Sequence, residues 1–255
     1  MSEEITARSR FTAMMDRGER PYGIFVSSID PAVTGILGSA GFDYVVIDGE
    51  HGRNDRAYVE NHVRAASASG IVPFVRVLVN SPALIQSMLD VGAHGVVVPH
   101  VDTAQDARQA VEAARYAPRG RRGMCPACNS GGYTLDGWIE RTRNADANIM
   151  IIPILESRKS IENVEEIMTV DGIDVVLFGP GDLSADMGLD LTTDIALLMD
   201  AWRRVVAAAK AAGKYILAPT DFGLDEANMM IAPMDYILLH KLACSMVAEH
   251  KAGKG

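Results

Sequence analysis

Ionisable side chains recur in this sequence directly after short apolar runs. They are Asp48, Glu50 and His51 after one run, Arg76 at the end of the next, and His100, Glu156, Asp182 and the pair His240-Lys241 after later runs. Carboxylates bind hard divalent cations, imidazole acts as a general base, and a buried guanidinium requires an anion. If the runs are parallel strands of a barrel, their carboxyl ends meet at one face. The sequence therefore predicts that these groups converge on one site.

Glu156 and Asp182 follow two adjacent predicted strands and form a candidate cation site. Mg²⁺ or Mn²⁺ takes oxygen ligands in octahedral geometry, often with only one or two protein carboxylates. The remaining positions could then take water and a bidentate 2-keto acid. The alternative interpretation is structural: Glu156 would cap the helix that follows Ser157, and Asp182 would cap or turn its own loop. Position alone leaves both interpretations open.

Three further groups could take part in acid–base or anion chemistry. Asp48 and His51 are three residues apart on a turn that contains glycine, so the carboxylate could orient the imidazole as a general base. They could equally be a loop histidine and a solvated aspartate. Arg76 ends a buried strand, where an unpaired cation is costly, so it needs a structural or a substrate anion. We favour a substrate anion, and regard His100 and His240 as weaker candidates for substrate contact.

The elements that position these residues alternate between short apolar runs and longer stretches of helical periodicity. The predicted strands are Tyr22–Ser27, Tyr44–Asp48, Pro73–Val77, Gly95–Pro99, Met150–Leu155, Val175–Phe178, Lys214–Leu217 and Tyr236–Leu239. The predicted helices are Pro31–Ala40, Ala57–Ser69, Pro82–Val91, Ala104–Ala114, Ile161–Met168, Asp194–Ala212, Leu224–Met230 and a last one from about Ala243.

The apolar runs are continuous and not alternating, which indicates strands that are buried on both faces of a parallel sheet. An open doubly wound sheet would fit this pattern too. Eight strands, and the absence of a G-x-G-x-x-G turn after the first of them, favour a (β/α)₈ TIM barrel. A length of 255 residues fits that fold as well, so we expect one catalytic domain over 1–255.

Charge and composition exclude several other classes of function. The formal net charge is −9, and an acidic surface repels nucleic acid and anionic lipid. The N-terminal segment is charged and amphipathic without an apolar signal core, and no apolar run approaches the ~18 residues of a membrane span. Three cysteines are too few for a disulfide framework, and Cys125 and Cys128 have no second pair to complete a zinc site. We therefore expect a cytoplasmic protein.

With these residues in view, the sequence resembles the HpcH/HpaI family of class II 2-keto acid aldolases over nearly its whole length. The segments that carry the resemblance are GFDYVVIDGEHGRND (41–55), PFVRV (73–77), LDVGAHGVVVPHVDTAQDARQAVEAARYAPRGRRG (89–123), ILES (154–157) and GIDVVLFGPGDLSADMG (172–188). The DGEH, single-arginine and GPxDLSxxMG elements are specific in this order and spacing.

The resemblance implies a role for each site residue. Glu156 and Asp182 would hold Mg²⁺, Mn²⁺ or Co²⁺, which chelates the keto acid. Arg76 would stabilise the enolate oxygen. His51 would be the general base, acting through water, with Asp48 as its nearest candidate orienter.

The resemblance also implies binding of the pyruvate carboxylate by the backbone around Gly181 and Asp182. It further implies a homo-hexamer, a trimer of dimers, in which partners exchange the C-terminal helix. Asp90 is a second candidate to orient the base. It ends the helix after the third strand, far from its own barrel mouth, so it could act only across a subunit interface.

Two departures from the family pattern bear on the choice of substrate. Many members have glutamine two residues before the metal-binding glutamate, where this chain has Ile154. Near the last strand the family often has Gly-x-Asp or Gly-x-Ser-Asp, where this chain has LLHKLACS, with His240 and Lys241. Both departures suggest an atypical acceptor, either bulky or carrying a carboxylate.

The leading hypothesis is retro-aldol cleavage of a 4-hydroxy-2-oxo acid to pyruvate and an aldehyde, or the reverse addition. The metal would polarise the 2-oxo group, and the base would take the 4-hydroxyl proton. A second hypothesis keeps the metal enolate for decarboxylation of oxaloacetate or for a citrate-synthase-like condensation with an acyl thioester. The third is a non-catalytic protein that binds metal and keto acid.

Overall fold

Eight parallel strands close into a barrel in the computed structural model, which describes residues 7–191 and 193–253. Each strand pairs with the next in chain order, and the last pairs with the first. The strands are β1 Tyr22–Val26, β2 Tyr44–Asp48, β3 Val72–Arg76, β4 Gly95–Val98, β5 Met150–Leu155, β6 Val175–Phe178, β7 Tyr215–Pro219 and β8 Met229–Ala232. The predicted (β/α)₈ TIM barrel is confirmed.

Helices cover the outer face of the barrel between the strands. They are α1 Ala7–Asp16, α2 Ala32–Ser39, α3 Arg56–Ser69, α4 Pro82–Asp90, α5 Ala104–Ala114, α6 Trp138–Asn148, α7 Arg158–Glu162, α8 Val164–Met168, α9 Pro180–Met187, α10 Ile195–Ala212 and α11 Asp235–Ala252. The predicted helix Ile161–Met168 is two short helices, α7 and α8. Helices α1, α6 and α9 were not predicted. Part of the amphipathic N-terminal segment (1–6), residue 192 and residues 254–255 lie outside the described chain.

The prediction was wrong at the end of the barrel. The last strand is β8 and not Tyr236–Leu239, which lies inside α11. The predicted helix Leu224–Met230 is also wrong, because a 3₁₀ turn at Thr220–Phe222 leads through a short connection into β8. Closure decides the assignment, since β8 pairs with β7 on one side and with β1 on the other. The final helix consequently begins at Asp235 and not near Ala243.

Alternate strand residues fill the barrel interior, as the period of a β-strand requires. The interior cluster consists of Tyr44, Val46, Val72, Phe74, Val97, Met150, Ile152, Ile154, Val175, Leu177, Leu217, Met229 and Ile231. Phe11 and Met15 of α1 join this cluster, and the Phe11 ring contacts the rings of Tyr44 and Phe74. Helix α1 precedes β1, so it covers the end of the barrel where the strands begin. The opposite end, where the strands finish, is the mouth.

Helix α11 is unlike the other helices because none of its residues is buried. Its exposed apolar side chains are Tyr236, Ile237, Leu239, Leu242, Met246 and Val247. At its start the Asp235 carboxylate accepts the backbone N–H groups of Ser27 and Ser28, both at 3.0 Å, which ties the helix to the end of β1. Within residues 7–191 and 193–253, no helix combines the length and the hydrophobicity that crossing a membrane requires.

Candidate active site

The strand alternation that fills the barrel also delivers three charged groups to its mouth. Asp48 comes two residues after Val46, Arg76 two after Phe74, and Glu156 two after Ile154, so each continues an inward-facing series. All three are buried, and they form a charged layer directly above the apolar interior of the barrel. The expectation that polar strand ends share one face is met by these three residues.

Asp48 and Arg76 form a two-point ion pair. Arg76 donates from Nε to one Asp48 oxygen at 2.9 Å and from Nη2 to the other at 2.8 Å. The guanidinium carbon also lies 4.7 Å from the centre of the Phe25 ring. Burial raises the pKa of the Asp48 carboxyl, but the hydrogen bonds and charge of Arg76 outweigh it, so this pKa is lowered overall. The Asp48 carboxyl therefore stays ionised, and its two contacts fix the plane of the guanidinium.

Glu50 joins this pair to two histidines. Its Oε2 lies 3.1 Å from Nη1 of Arg76 and 3.8 Å from Nε2 of His51, and its Oε1 lies 3.5 Å from Nε2 of His100. The Glu50 side chain is only 8% exposed, and its Oε2 accepts no hydrogen bond of good geometry from the described residues. Burial raises the pKa of Glu50 in spite of the nearby cations. The sequence pattern gives Glu50 no role beyond its place after β2, although its position continues the inward series of that strand.

Glu156 is the second buried glutamate of the mouth, with a side chain 4% exposed. Its Oε1 accepts the backbone N–H of His100 at 2.7 Å and lies 3.3 Å from Nδ1 of the same residue. Burial raises the pKa of Glu156, and the negative charges of Glu50 and Asp182 raise it further against the contribution of His100. The structure thus brings Glu156 and Asp182 within electrostatic range of each other.

Asp182 lies in the first turn of α9, which begins directly after β6. It is exposed, as is Gly181 beside it. First-turn N–H groups of a helix have no acceptor within the helix, so they can bind an anion. A Cβ on Gly181 would meet no atom within 4 Å, whereas one on Gly179 would lie 2.9 Å from Cβ of Glu156. The turn therefore packs closely on Glu156 and is open above Gly181.

The acids of the mouth suit a divalent cation. Burial raises the pKa values of Glu156 and Glu50, and the Oε2 of Glu50 accepts no hydrogen bond from the described residues, so a cation at the mouth would compensate the ionised form of these acids. Carboxylate oxygens are the ligands that Mg²⁺ and Mn²⁺ prefer. Among the residues described, no group of three or more Asp, Glu, His or Cys side chains is arranged to hold a cation. A site with only two protein carboxylates, Glu156 and Asp182, leaves coordination positions for water and substrate.

His51 stands at the rim with its side chain 58% exposed. The contact of Asp48 with His51 is to the backbone, because Asp48 accepts the His51 N–H at 3.3 Å and the Glu50 N–H at 3.0 Å. Both oxygens of the Asp48 carboxylate also accept hydrogen bonds from Arg76. Asp48 therefore shapes the turn that carries His51, and the carboxylate nearest to the imidazole is that of Glu50.

Other sequence candidates lie elsewhere. Asp90 ends α4, at the barrel face opposite the mouth, where Arg122 donates to it at 2.7 Å. The prediction that His240 and Lys241 follow the last strand was wrong, because both residues lie in α11. The Lys241 ammonium lies 3.8 Å from the Asp221 carboxylate in the β7–β8 connection.

Residues 117–134 lie in the connection between α5 and α6, on the side where the strands begin. Its two cysteines flank a turn, and the Cys128 thiol donates to the carbonyl oxygen of Cys125 at 3.1 Å. Cys125 is exposed and Cys128 is partly exposed, and both are free thiols. This segment contributes nothing to the mouth of its own barrel.

Comparison with known proteins finds a family model and named relatives that match most of the chain. The family model described as HpcH/HpaI aldolase/citrate lyase matches residues 21–232. A hydroxypyruvate/pyruvate aldolase of Roseobacter denitrificans is 34% identical, covering 95% of this chain and 97% of that protein. A 5-keto-4-deoxy-D-glucarate aldolase of Salmonella paratyphi C is 34% identical, covering 84% of this chain and 83% of its own length.

Two solved structures have the same fold over nearly the whole chain. An HpcH/HpaI aldolase/citrate lyase family protein from Burkholderia cenocepacia superposes with a TM-score of 0.88 at 27% identity, covering 95% of this chain and 99% of that one. The citrate synthase SbnG superposes with a TM-score of 0.83 at 26% identity, covering 95% and 98%.

Proposed function

The chain belongs to the HpcH/HpaI aldolase/citrate lyase family and is a carbon–carbon lyase of the aldolase type, and on that premise we propose that it cleaves and forms 4-hydroxy-2-oxo acids through the enolate of pyruvate. The observation that carries the proposal is the chain of contacts Arg76–Glu50–His100–Glu156 at the mouth of the closed barrel. It links a fixed guanidinium to both glutamates of the site.

Glu156 and Asp182 are the residues that would hold the divalent cation, Mg²⁺, Mn²⁺ or Co²⁺. When bound, such an ion supplies Lewis-acid polarisation of the 2-oxo group. The raised pKa of Glu156 supports this role, because a cation would relieve the cost of an ionised, buried carboxylate. The exposed position of Asp182 leaves that side of the site accessible to substrate.

Arg76 stabilises the negative charge that develops on the 2-oxo oxygen when the C3–C4 bond breaks. Its Nε and Nη2 are already used by Asp48, so the guanidinium needs no reorientation during the reaction. Donors that are fixed before the reaction stabilise a transition state more effectively than mobile ones. Asp48 is therefore a positioning residue for Arg76. Pyruvate's carboxylate would bind the backbone N–H groups around Gly181 and Asp182.

His51 is the proposed general base. It takes the proton of the 4-hydroxyl group, directly or through water, as the C3–C4 bond breaks and the aldehyde leaves. The electron pair of that bond forms the enolate of pyruvate, which is then protonated at C3. The position of the imidazole supports this role, because the side chain is exposed at the rim, where it can reach substrate, and its Nε2 lies 3.8 Å from a carboxylate oxygen of Glu50.

The test is exchange of the pyruvate C3 protons with D₂O, followed by NMR. We expect exchange with Mg²⁺ or Mn²⁺, none after chelation, and none in the double variant Glu156→Ala/Asp182→Ala. Exchange that survives in the double variant would reject the proposed cation site. A protein that binds pyruvate and metal without any exchange would be the non-catalytic binder.

Decarboxylation of oxaloacetate or condensation with an acyl thioester is the alternative on the same scaffold. It is supported by Ile154 and by the likeness to citrate synthase SbnG. His240 and Lys241 do not support it, because both lie in α11 and not at the end of a strand. Acyl thioester consumption, or loss of CO₂ from oxaloacetate faster than retro-aldol cleavage, would favour it. Ready cleavage of hydroxy-keto acids without either reaction would favour the aldolase.

We also propose that the chain is one catalytic domain that assembles in the cytoplasm as a homo-hexamer, a trimer of dimers. The apolar side chains exposed along α11 support exchange of this helix between partners. Only in such an assembly could Asp90 reach the base of a neighbouring subunit. Its pairing with the fully buried side chain of Arg122 would hold the carboxylate ready for that contact.

A further inference from the structure

His100 has a backbone conformation that favours glycine. Its φ is +54°, and His100 and Tyr133 are the non-glycine residues with positive φ in the described parts of the chain. This conformation turns the His100 N–H to Glu156 just beyond the end of β4. A glycine could make the same backbone hydrogen bond without strain, so the contact with Glu156 does not by itself explain a histidine here.

The imidazole of His100 lies next to the carboxylates of Glu50 and Glu156. Its Nδ1 is 3.3 Å from Oε1 of Glu156 and its Nε2 is 3.5 Å from Oε1 of Glu50, so the ring spans the two buried acids. The side chain is nevertheless 66% exposed. Neither ring nitrogen makes a hydrogen bond of good geometry to the described residues, so an N–H of the exposed ring remains available to a substrate at the mouth.

The two histidines of the mouth flank Glu50 on different oxygens. His51 approaches Oε2 and His100 approaches Oε1. If His51 serves the 4-hydroxyl group, His100 is free to contact the part of the acceptor beyond C4. The neighbouring rim after β3 carries two exposed apolar side chains, Leu78 and Val79. On this side of the mouth an imidazole, which always carries at least one N–H donor, is thus set beside an apolar pair.

We propose that His100 is a specificity-determining residue, which donates a hydrogen bond to an oxygen substituent on the aldehyde acceptor and so favours short hydroxyaldehydes over alkyl aldehydes. The inference rests on the proposed aldolase function. It assigns the acceptor preference to the residue after β4.

The test compares two acceptors of almost equal size in the addition of pyruvate. Glycolaldehyde and propanal differ by a hydroxyl in place of a methyl group, so the ratio of their kcat/KM values isolates the hydrogen bond. We expect this ratio to fall about tenfold in His100→Leu and His100→Gly, because one hydrogen bond to the acceptor is lost. His100→Asn should keep most of the ratio, because asparagine retains an N–H donor and tolerates positive φ.

The ratio separates specificity from structural damage. A variant that merely disturbs Glu156 slows both acceptors equally and leaves the ratio unchanged. Leu78→Ala is the control on the same rim, and it should lower the rate with propanal at least as much as the rate with glycolaldehyde. An unchanged ratio in both His100→Leu and His100→Gly overturns the inference, and so does an equal fall in His100→Asn.

Exchange of the pyruvate protons with D₂O distinguishes failure of the His100 role from failure of the proposed aldolase function. If wild-type protein neither exchanges pyruvate protons nor adds pyruvate to aldehydes, the proposed function fails and the role of His100 fails with it. If wild-type protein exchanges and adds but the variants keep its acceptor ratio, only the role of His100 is rejected.

Discussion

Arg76 and Asp48 face each other across the β2–β3 ladder at the point where both strands end, and they are direct partners in its register. The carboxylate meets the guanidinium at two points, and neither side chain exposes more than 8% of its surface. Because both groups are removed from water, each depends on the other for its charge compensation. The pair consequently stabilises the fold and also holds Arg76 in the orientation that the proposed chemistry requires.

Replacing Asp48 with asparagine should therefore damage stability and activity together. Asp48→Asn removes the charged two-point partner of the buried Arg76 and leaves it the looser contact with Glu50, which should lower the free energy of unfolding by about 3–5 kcal/mol. Pyruvate exchange should fall as well, because Arg76 loses its fixed orientation. Urea unfolding followed by circular dichroism measures the first effect and NMR the second. Glu19→Gln, which breaks the exposed pair with Arg17, is the control and should barely change stability. Wild-type stability in Asp48→Asn would contradict the pairing.

Binding of the cation should weaken as pH falls. The pKa of Glu156 and that of Glu50 are raised, first of all by burial, so protons compete with the cation at a higher pH than for an ordinary glutamate. Titration calorimetry with Mn²⁺ from about pH 8 down to about pH 5 should show a steadily rising Kd. A Kd that is constant over this range would argue against Glu156 as a ligand.

Stability without the cation should have the opposite pH dependence. A carboxyl with a raised pKa keeps its proton longer in the folded protein than in the unfolded one. The contribution of Glu156 to the free energy of unfolding therefore decreases as pH rises from the ordinary glutamate pKa through the raised pKa. Glu156→Gln should remove this contribution, so the variant should gain stability relative to wild type at neutral pH in the presence of a chelator. Thermal unfolding of the two proteins across pH measures the difference.

Two glycines near α9 should separate cation binding from substrate binding. In Gly179→Ala the new methyl group would lie 2.9 Å from Cβ of Glu156 and 3.0 Å from Cγ2 of Ile154, so we expect weaker Mn²⁺ binding. In Gly181→Ala the methyl group enters open space, where the pyruvate carboxylate is proposed to bind. That variant should raise KM for pyruvate and keep its affinity for Mn²⁺. The reverse pattern would place substrate elsewhere.

Ile154→Gln tests the departure from the family pattern. The side chain is 2% exposed and belongs to the barrel interior, so an amide there should cost about 1–3 kcal/mol of stability where it finds no partner. Ile152→Gln is the matched control, because Ile152 has the same orientation but lies one layer deeper. Its amide should cost more, since it is further from the mouth. Equal losses in urea unfolding would show that Ile154 does not border the site.

The exposed face of α11 should control assembly. Charges introduced by Leu242→Glu/Met246→Glu should disrupt any packing of this helix on a partner. In analytical ultracentrifugation we expect wild-type protein to sediment as a multiple of the 27.4 kDa chain and the double variant as a smaller species. Ser245→Glu, a polar position of the same helix, is the control. A monomeric wild-type protein would refute the proposed hexamer.

The sequence predicted most of the barrel because buried parallel strands are continuous apolar runs separated by helical periodicity. It failed at the end, where two apolar runs compete. Residues 229–232 form the strand and residues 236–239 belong to a helix. Helix α11 has apolar side chains on all sides, so its period of 3.6 is not visible and it resembles a strand locally. Only the need to close the sheet between β7 and β1 decides between the runs, and that is a non-local constraint.

The site was predictable to the extent that strand ends converge. Position along the chain placed Asp48, Arg76 and Glu156 at the mouth. It did not reveal their partners, because the register between β2 and β3 decides that Asp48 meets Arg76 and that the His51 ring is left to Glu50. Glu50 itself could have been found from the alternation of β2, whose inward series runs through Tyr44, Val46 and Asp48 to position 50.

The packed interior of the barrel limits how this enzyme can change during evolution. Aromatic and aliphatic side chains fill it from Phe11 at one end to Ile154 below the mouth. Mutations in the deeper layers of this filling should alter thermal tolerance, whereas the side chains that can contact a substrate stand above them. Apart from Ile154 and the Asp48–Arg76 pair, stability and selectivity thus depend on different positions, and a mutational library confined to the exposed rim could explore new acceptors without eroding the scaffold.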